Sequence, residues 1–310
     1  TVVTQLQRSP GAFFDQKFHP NGAKLFNARI IPIRGSWIDF TTDINDILFT
    51  IIDRKRKFPA TLLLRSLGFS SDEDIYNAFD LVLEMDPSKI KADDLTDYIT
   101  VEDTIDMETG ELVVEGGKEL NETIVSALKN NKTKKVKLVD VRNNIDSMMI
   151  YNTIKKDPTK STEEALLKVY YLLRGSDAPS PESAQKFIDR MFFSPKKYDL
   201  GQVGRYRLDK QFNLDNKGKD PVLTHDDFLI TVKYLILMRK GMKSPDDIDH
   251  LGNRRVRTVG EQLKVQFNSA LARMVRTVYE RMNLREQETI TPQDLINSRL
   301  VTTVINTFFG

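Results

Sequence analysis

The most regular hydrophobic pattern in the sequence lies near its C-terminal end, where apolar residues recur every three or four positions between 261 and 282. This spacing predicts an amphipathic helix of about six turns with basic residues on its polar face. Pro292 opens a further predicted helix, and we expect its apolar side to pack against the first helix. The predicted apolar face of the longer helix consists of Leu263, Phe267, Ala270, Leu271, Met274, Val278 and Met282.

The first 60 residues show the patterns of antiparallel strands separated by turns. Asn21-Gly22 is typical of a two-residue hairpin turn between alternating segments. A second turn at 8–11 contains proline and glycine, and it would present Arg8 at a loop tip. The predicted strands lie at 1–6, 12–18, 23–32 and 37–40, and a further strand pair is predicted at 44–53.

Helix start and stop signals dominate the middle of the chain. Serine or threonine precedes an acidic residue by three positions at several points, which is the arrangement of an N-terminal capping box. Gly68 and Gly241 each follow an apolar periodic segment and mark helix ends. The predicted helices lie at 59–67, 71–83, 161–174, 182–193 and 226–240.

Residues 85–153 differ from the rest because they are rich in acidic and turn-forming residues. The pattern of these residues predicts a small α+β insertion. It contains a hairpin with its turn at 108–111, a helix at 121–129 and a strand at 135–139. The predicted fold class is therefore α+β. It combines a domain of mixed helices and antiparallel strands, the small insertion, and a helical segment at the end.

Composition is that of a globular protein with an uneven distribution of charge. The chain has 310 residues, 40% of them hydrophobic, and no cysteine, which excludes disulfides and thiolate metal sites. Residues 72–111 contain 14 acidic residues and two lysines, whereas 251–285 contain eight basic residues and two acidic ones. We therefore expect one surface to face nucleic acid and another to avoid it.

The sequence shows neither a secretory leader nor an apolar run long enough to span a bilayer. The chain begins with threonine inside a predicted strand. We therefore expect a piece of a longer cytoplasmic protein.

The segment 246–262 concentrates the polar chemistry of the chain. Acidic residues and a histidine precede the turn 251–253, and three arginines follow the turn. Gly252 and Asn253 are residue types that are both able to take positive φ, as tight turns require, so we expect the arginines to leave a rigid turn. A carboxylate beside arginines orients each guanidinium group for planar recognition of a base edge or a phosphate. A purely structural group of salt bridges between domains is the alternative that the residues leave open.

Common catalytic motifs are missing from the sequence. The histidines at 19, 225 and 250 form no HExxH pair, and the chain has neither a P-loop nor a GxSxG turn. Asp246, Asp247, Asp249 and His250 supply ligands suited to Mg²⁺, but the arginines that follow would neutralise such a site. We therefore predict no catalytic residue and no metal ligand in this chain.

Six segments resemble, in the same order along the chain, segments of the β subunit of bacterial DNA-directed RNA polymerase. The resemblance covers nearly the whole sequence and is weakest at about 70–160. β subunits of this family are several times longer, which is a further reason to expect a piece of a longer chain. The matching segments are VVTQLQRSPGAFF (2–14), ARIIPIRGSWIDF (28–40), RKRKFPATLLLRSLG (54–68), KKYDLGQVGRYRLDK (196–210), DDIDHLGNRRVR (246–257) and TPQDLINSRLVTTVINTFFG (291–310).

The resemblance implies a division into domains. Residues 1–250 match the lobe domain of the family, with a lineage-variable insertion at about 85–153, and 251–310 match a helical part of the protrusion domain. In the family these regions form one wall of the downstream DNA cleft. The basic run 54–57 is either a solvated edge or part of the lining of this channel.

The resemblance also implies site residues. Residues matching Arg8, Ile248, Asp249 and Arg254 line a pocket for a guanine of the non-template strand. The residue matching Trp37 stacks on a neighbouring unpaired base, although a tryptophan close to isoleucine and phenylalanine is equally typical of a core anchor.

Residues matching Val3 and Gln5 lie at the edge of the rifamycin site of the family. The catalytic Mg²⁺ ions belong to the partner β′ subunit. The other implied partners are the α and σ subunits and DNA, in a cytoplasmic enzyme associated with the nucleoid. A free-standing adapter that binds proteins through its acidic stretch is the alternative function.

Overall fold

The computed structural model describes residues 2–87, 97–105, 112–130, 135–214, 220–284 and 291–310. The chain forms two compact units. One is Pro10–Asp247, and the other combines Thr1–Ser9 with Ile248–Gly310. The predicted α+β class is confirmed.

An antiparallel sheet of five strands organises the unit Pro10–Asp247, and its strands follow one another in sequence order. Gly22 has a φ of 82° in the predicted hairpin turn, where the backbone N–H of His19 donates to the carbonyl of Ala23 at 2.9 Å. The predicted strand pair at 44–53 is wrong, because a tight turn precedes a single strand there. The strands are β2 (Gly11–Phe18), β3 (Lys24–Ile31), β4 (Ile38–Thr42), β5 (Leu48–Ile52) and β6 (Phe58–Pro59).

Helices and strands of this unit share one large hydrophobic core, which includes Phe14, Ile38, Leu63 and Phe228. Ser71 and Thr224 close capping boxes, so the predicted helix starts at these residues are confirmed. The helices of the large core are α1 (Ala60–Ser66), α2 (Asp72–Ala78), α4 (Ile145–Lys156), α5 (Thr162–Arg174), α6 (Pro181–Phe192), α7 (Gly201–Phe212) and α8 (His225–Arg239).

Two of these helices were not predicted from the sequence. Helix α4 lies within the predicted insertion range, yet its Met149 and Ile150 are buried in the large core. Helix α7 buries Gly204, Arg205 and Asp209 together with one leucine. A helix with such a polar buried side lacks the apolar periodicity on which helix prediction depends.

A smaller core lies between a three-stranded sheet, a strand pair and one helix. The predicted helix and strand of the insertion are confirmed, whereas the turn at 108–111 lies outside the described residues. The elements are β7 (Leu83–Met85), β8 (Tyr98–Thr100), β9 (Thr104–Ile105), β10 (Leu112–Val114), α3 (Glu122–Asn130) and β11 (Val136–Asp140). Strand β11 is the central strand of the three-stranded sheet, and β9 pairs with β10.

The second unit consists of a strand pair and helices. Strand β1 (Gln5–Arg8) pairs with β12 (Arg254–Arg257), which leads into α9 (Val259–Leu284). The predicted final helix is divided into α10 (Pro292–Leu295) and α11 (Arg299–Phe309), and α11 packs against α9 as predicted.

The predicted apolar face of α9 is only partly covered. Ala270 is fully buried, whereas 39% of Phe267 and 48% of Met282 are exposed. The prediction that Phe267 and Met282 lie on a buried face is therefore wrong.

Candidate nucleic-acid interface

The pairing of β1 with β12 brings Arg8 and Arg254 together. They are directly opposite each other in the antiparallel register, next to the pair Gln7 and Arg255. The backbone N–H of Ser9 donates to the carbonyl of Asn253 at 3.0 Å and extends the pairing. The prediction that Arg8 lies at a loop tip is wrong, since Arg8 is the last residue of a strand.

Strand geometry decides which arginines share a surface. Side chains alternate between the two faces of a strand, so Arg8 and Arg254 lie on one face of the pair. Arg255 and Arg257 lie on the other face. Like charges directly opposite each other destabilise a strand pair, and an anion bound between them would relieve this repulsion.

Asp249 orients one of the two facing arginines. The Arg254 guanidinium donates through Nη2 to Asp249 Oδ1. The exposed fraction is 82% for the Asp249 side chain and 35% for the Arg254 side chain, so this ion pair is accessible from solvent. Arg8 is exposed and forms neither a hydrogen bond nor an ion pair through its side chain with any residue that the structure describes.

The turn that precedes β12 is a short 3-10 helix, Leu251–Asn253. His250 holds it, because its Nδ1 accepts from the Gly252 N–H at 3.0 Å. The predicted turn is present, although neither Gly252 nor Asn253 adopts the positive φ that its residue type allows. Ile248 is half-buried just before this turn.

Other members of the segment 246–262 have structural partners. Asp246 Oδ2 accepts from the backbone N–H of Phe14 at 2.8 Å. On the opposite face of β12, Arg255 Nη2 donates to both carboxylate oxygens of Glu261. Asp246 and Arg255 therefore have structural partners within their own units, whereas Arg8, Arg254 and Asp249 remain accessible.

Trp37 belongs to the unit Pro10–Asp247 and lies just before β4. Its backbone N–H donates to Asp53 Oδ1 at 2.9 Å, and its carbonyl accepts from the Asp53 N–H at 3.0 Å. The Arg29 guanidinium carbon lies 5.8 Å from the centroid of the indole ring. Trp37 is half-buried and is not part of either hydrophobic core, which argues against a core anchor.

Val3 is exposed just before β1, and Gln5 is exposed as its first residue. The Val3 carbonyl accepts from Gln262 Nε2 at 3.0 Å, and Gln5 is opposite Arg257. The basic run 54–57 is exposed, but Lys55 Nζ donates to the Leu173 carbonyl at the end of α5.

A cavity of about 300 Å³ in the unit Pro10–Asp247 was missed by sequence reasoning. We name it the basic cavity because two arginines and a lysine line it. The three cations are spread over 24 positions of the sequence, 174 to 197, and no local pattern connects them. Its lining residues are Gly35, Ser36, Arg174, Phe187, Arg190, Met191 and Lys197.

The described parts of the chain hold no group of three or more histidine, aspartate or glutamate side chains placed to bind a metal ion. Among the helices of the described ranges, none has the length and apolar character needed to cross a membrane.

A comparison with models of known protein families identifies the family of this chain. The family model for RNA polymerase Rpb2, domain 2, matches residues 8–124 and 121–257. The chain belongs to this family. The matched range includes Arg8, Trp37, Ile248, Asp249 and Arg254.

Curated relatives extend the match over the full chain. The chain is 46% identical over 329 residues to the DNA-directed RNA polymerase subunit beta of Flavobacterium psychrophilum. Identity is 46% over 327 residues to that of Porphyromonas gingivalis and 45% over 328 residues to that of Bacteroides thetaiotaomicron. Each match covers 100% of this chain but only 26% of the relative. The resemblance to bacterial β subunits is therefore confirmed, and the chain spans about a quarter of their length.

Proposed function

We propose that this chain forms one wall of the downstream DNA cleft in a bacterial RNA polymerase and contacts the non-template strand of the transcription bubble. Within it, 1–250 act as the lobe domain with an insertion at about 85–153, and 251–310 act as a helical part of the protrusion domain. Family membership and the names of the relatives support the assignment to a β subunit. The facing arginines of β1 and β12 support the DNA contact.

The proposed recognition depends on the complementarity between guanine and an arginine–aspartate pair. Guanine O6 and N7 accept hydrogen bonds from an arginine, and its N1 and N2 groups donate to a carboxylate. Arg8 and Arg254 supply the donors, Asp249 supplies the acceptor, and half-buried Ile248 supplies an apolar contact. Trp37 stacks on a neighbouring unpaired base.

The chemistry of RNA synthesis belongs to the assembled enzyme. In this proposal the β′ subunit holds the Mg²⁺ ions, and this chain contributes DNA contacts but no reacting group. The α and σ subunits complete the assembly in the cytoplasm, associated with the nucleoid. Val3 and Gln5 lie at the edge of a rifamycin site.

One observation carries the DNA contact and argues against the adapter alternative. Arg8 and Arg254 lie side by side on one face of a strand pair, and Arg8 has no side-chain partner in the described part of the chain. Asp249 offsets the charge of Arg254, and an anionic or electron-rich partner bound between the two arginines would also offset the charge of Arg8.

The test uses a polymerase whose β subunit carries this sequence. With guanine at the downstream non-template position, open complexes should have longer lifetimes than with another base. The difference should correspond to about 1–3 kcal/mol of binding free energy. Asp249→Ala should remove most of this preference, because guanine N1 and N2 lose their acceptor. Trp37→Ala should keep the preference but weaken binding of the adjacent base by about 1–3 kcal/mol.

Arg257→Ala is the matched control, since it removes a charge from the same strand but from its opposite face. This variant should keep the guanine preference. Full preference in Asp249→Ala, or the same loss in Arg257→Ala, would refute the guanine pocket.

A further inference from the structure

The basic cavity has positive charge that none of the described residues neutralises. Arg174, Arg190 and Lys197 are exposed at its wall. None of the three forms an ion pair or a side-chain hydrogen bond with a described residue. Three cations that converge without an acidic partner attract an anion.

Two acidic residues next to the cavity cations in sequence have other partners. Asp189, one position before the α6 arginine of the cavity, accepts from Gln185 Nε2 at 2.8 Å. Asp199 accepts from the Gly201 N–H at 2.7 Å and lies 3.6 Å from the Arg34 guanidinium. These contacts direct both carboxylates to partners other than the cavity cations.

Aromatic packing holds the wall of the cavity in place. The Arg174 guanidinium carbon lies 5.2 Å from the centroid of the Phe187 ring. That ring in turn packs edge-on against Tyr170, with centroids 5.1 Å apart. A guanidinium group that stacks on a fixed ring keeps one plane of donors toward its ligand.

The loop 34–36 contributes backbone to the lining of the cavity. Gly35 has a φ of 124°, and a Cβ at this position would lie 2.6 Å from Cδ2 of Tyr198. Only glycine fits there, so the loop keeps this path. Ser36 lines the cavity and directly precedes Trp37 in the chain.

We propose that the basic cavity binds a phosphodiester group of the single DNA strand whose unpaired base stacks on Trp37. The volume of about 300 Å³ lies at the small end for ligand sites, which suits a phosphate group rather than a large organic ligand. Sites for single strands combine cations along the backbone with aromatic platforms for bases. This inference rests on the proposed contact with the non-template strand, and it adds a contact that does not read the base.

The test measures coupling between the cavity and single phosphates. In a polymerase whose β subunit carries this sequence, the cavity cations are replaced by glutamine and binding to a DNA bubble is measured. Each non-template phosphate is replaced in turn by a neutral methylphosphonate. The test variant combines Arg174→Gln, Arg190→Gln and Lys197→Gln. The control combines Lys156→Gln, Lys168→Gln and Lys196→Gln, which removes the same charge from exposed positions outside the cavity.

We expect one methylphosphonate position to weaken binding about tenfold in the wild type and the control, as loss of a charged hydrogen-bond partner does. The same substitution should have no effect in the test variant, since the contact is already lost. In the test variant the magnitude of the slope of log binding constant against log salt should fall by about 0.7, because one strand phosphate fewer is neutralised and fewer counterions are released.

The inference would be overturned if every methylphosphonate position had the same effect on binding in the wild type, the control and the test variant. Equilibrium dialysis with AMP tests the other source of a phosphate group. Binding of AMP that only the test variant loses, without coupling to any strand position, would also overturn the strand assignment. Asp249→Ala in the same assay separates the two proposals, because it changes guanine preference and leaves the phosphate coupling intact.

Discussion

Replacing Arg205 by methionine tests the polar centre of the unit Pro10–Asp247. The Arg205 side chain is 1% exposed and donates to Asp227 Oδ2 at 2.6 Å, to Asp227 Oδ1 at 3.0 Å and to Asp209 Oδ1 at 2.7 Å. Burial opposes its charge, but the hydrogen bonds to Asp227 and Asp209 raise the pKa of Arg205 above its usual value.

The substitution leaves two carboxylates buried without their cation. Asp227 is fully buried and also accepts from the Thr224 N–H at 2.7 Å, so it cannot turn toward water without opening the start of α8. Removing one partner of a buried ion pair costs about 3–5 kcal/mol. Arg205→Lys keeps the charge but loses the planar arrangement of donors, so its loss should lie between those of wild type and methionine.

Urea unfolding followed by tryptophan fluorescence measures this loss of stability. The signal reports on the unit Pro10–Asp247, which contains Arg205, because Trp37 is the only tryptophan of the chain. Arg142→Met is the control, since the Arg142 side chain is 60% exposed and its Nη1 lies 3.5 Å from Asp97 Oδ1. An exposed pair of this kind contributes about 0–1 kcal/mol. Equal unfolding midpoints for Arg205→Met and Arg142→Met would refute the reasoning that the buried pair must stay intact.

Three further substitutions test local features, each by thermal or urea unfolding of the chain. Gly35→Ala should destabilise the fold by about 1–3 kcal/mol through strain and a clash with a tyrosine ring, and by more than Gly22→Ala, whose added Cβ meets no atom within 4 Å. Ser71→Ala should cost about 0.5–2 kcal/mol because it opens a capping box, and an unchanged midpoint would show that the cap contributes nothing. Leu271 is half-buried on α9, so Leu271→Ala should lower the free energy of unfolding by about 2 kcal/mol, whereas Lys264→Ala at an exposed position should change it little. Equal losses of stability in the two variants, measured by circular dichroism, would contradict the assigned helix face.

Features that depend on neighbouring residues could be predicted from the sequence. The capping boxes at Ser71 and Thr224, the hairpin turn at Gly22 and the long helix near the C-terminus all have their causes within a few residues. Capping, turn geometry and helical periodicity act over one or two turns of chain, so they are visible without a tertiary fold.

The family could also be identified from the sequence, because six segments resemble those of bacterial β subunits in the same order along the chain. This resemblance did not depend on how the segments pack.

The resemblance implied a shared pocket for Arg8 and Arg254, but only the tertiary structure shows the strand pairing that brings them together. Arg8 and Arg254 are 246 positions apart, and only the pairing of β1 with β12 places them on one face. Strand register, which long-range packing determines, also separates accessible Arg254 from Arg255, whose partner is Glu261.

Burial of charge was equally hidden in the sequence. Arg205 is a core residue of α7 because its two carboxylate partners are folded around it, while Arg174 and Arg190 remain at an exposed cavity. An arginine has the same intrinsic chemistry in both places. Its role as a structural cation or as a site for anions depends on whether the fold brings a carboxylate within reach, and that depends on residues distant in the chain.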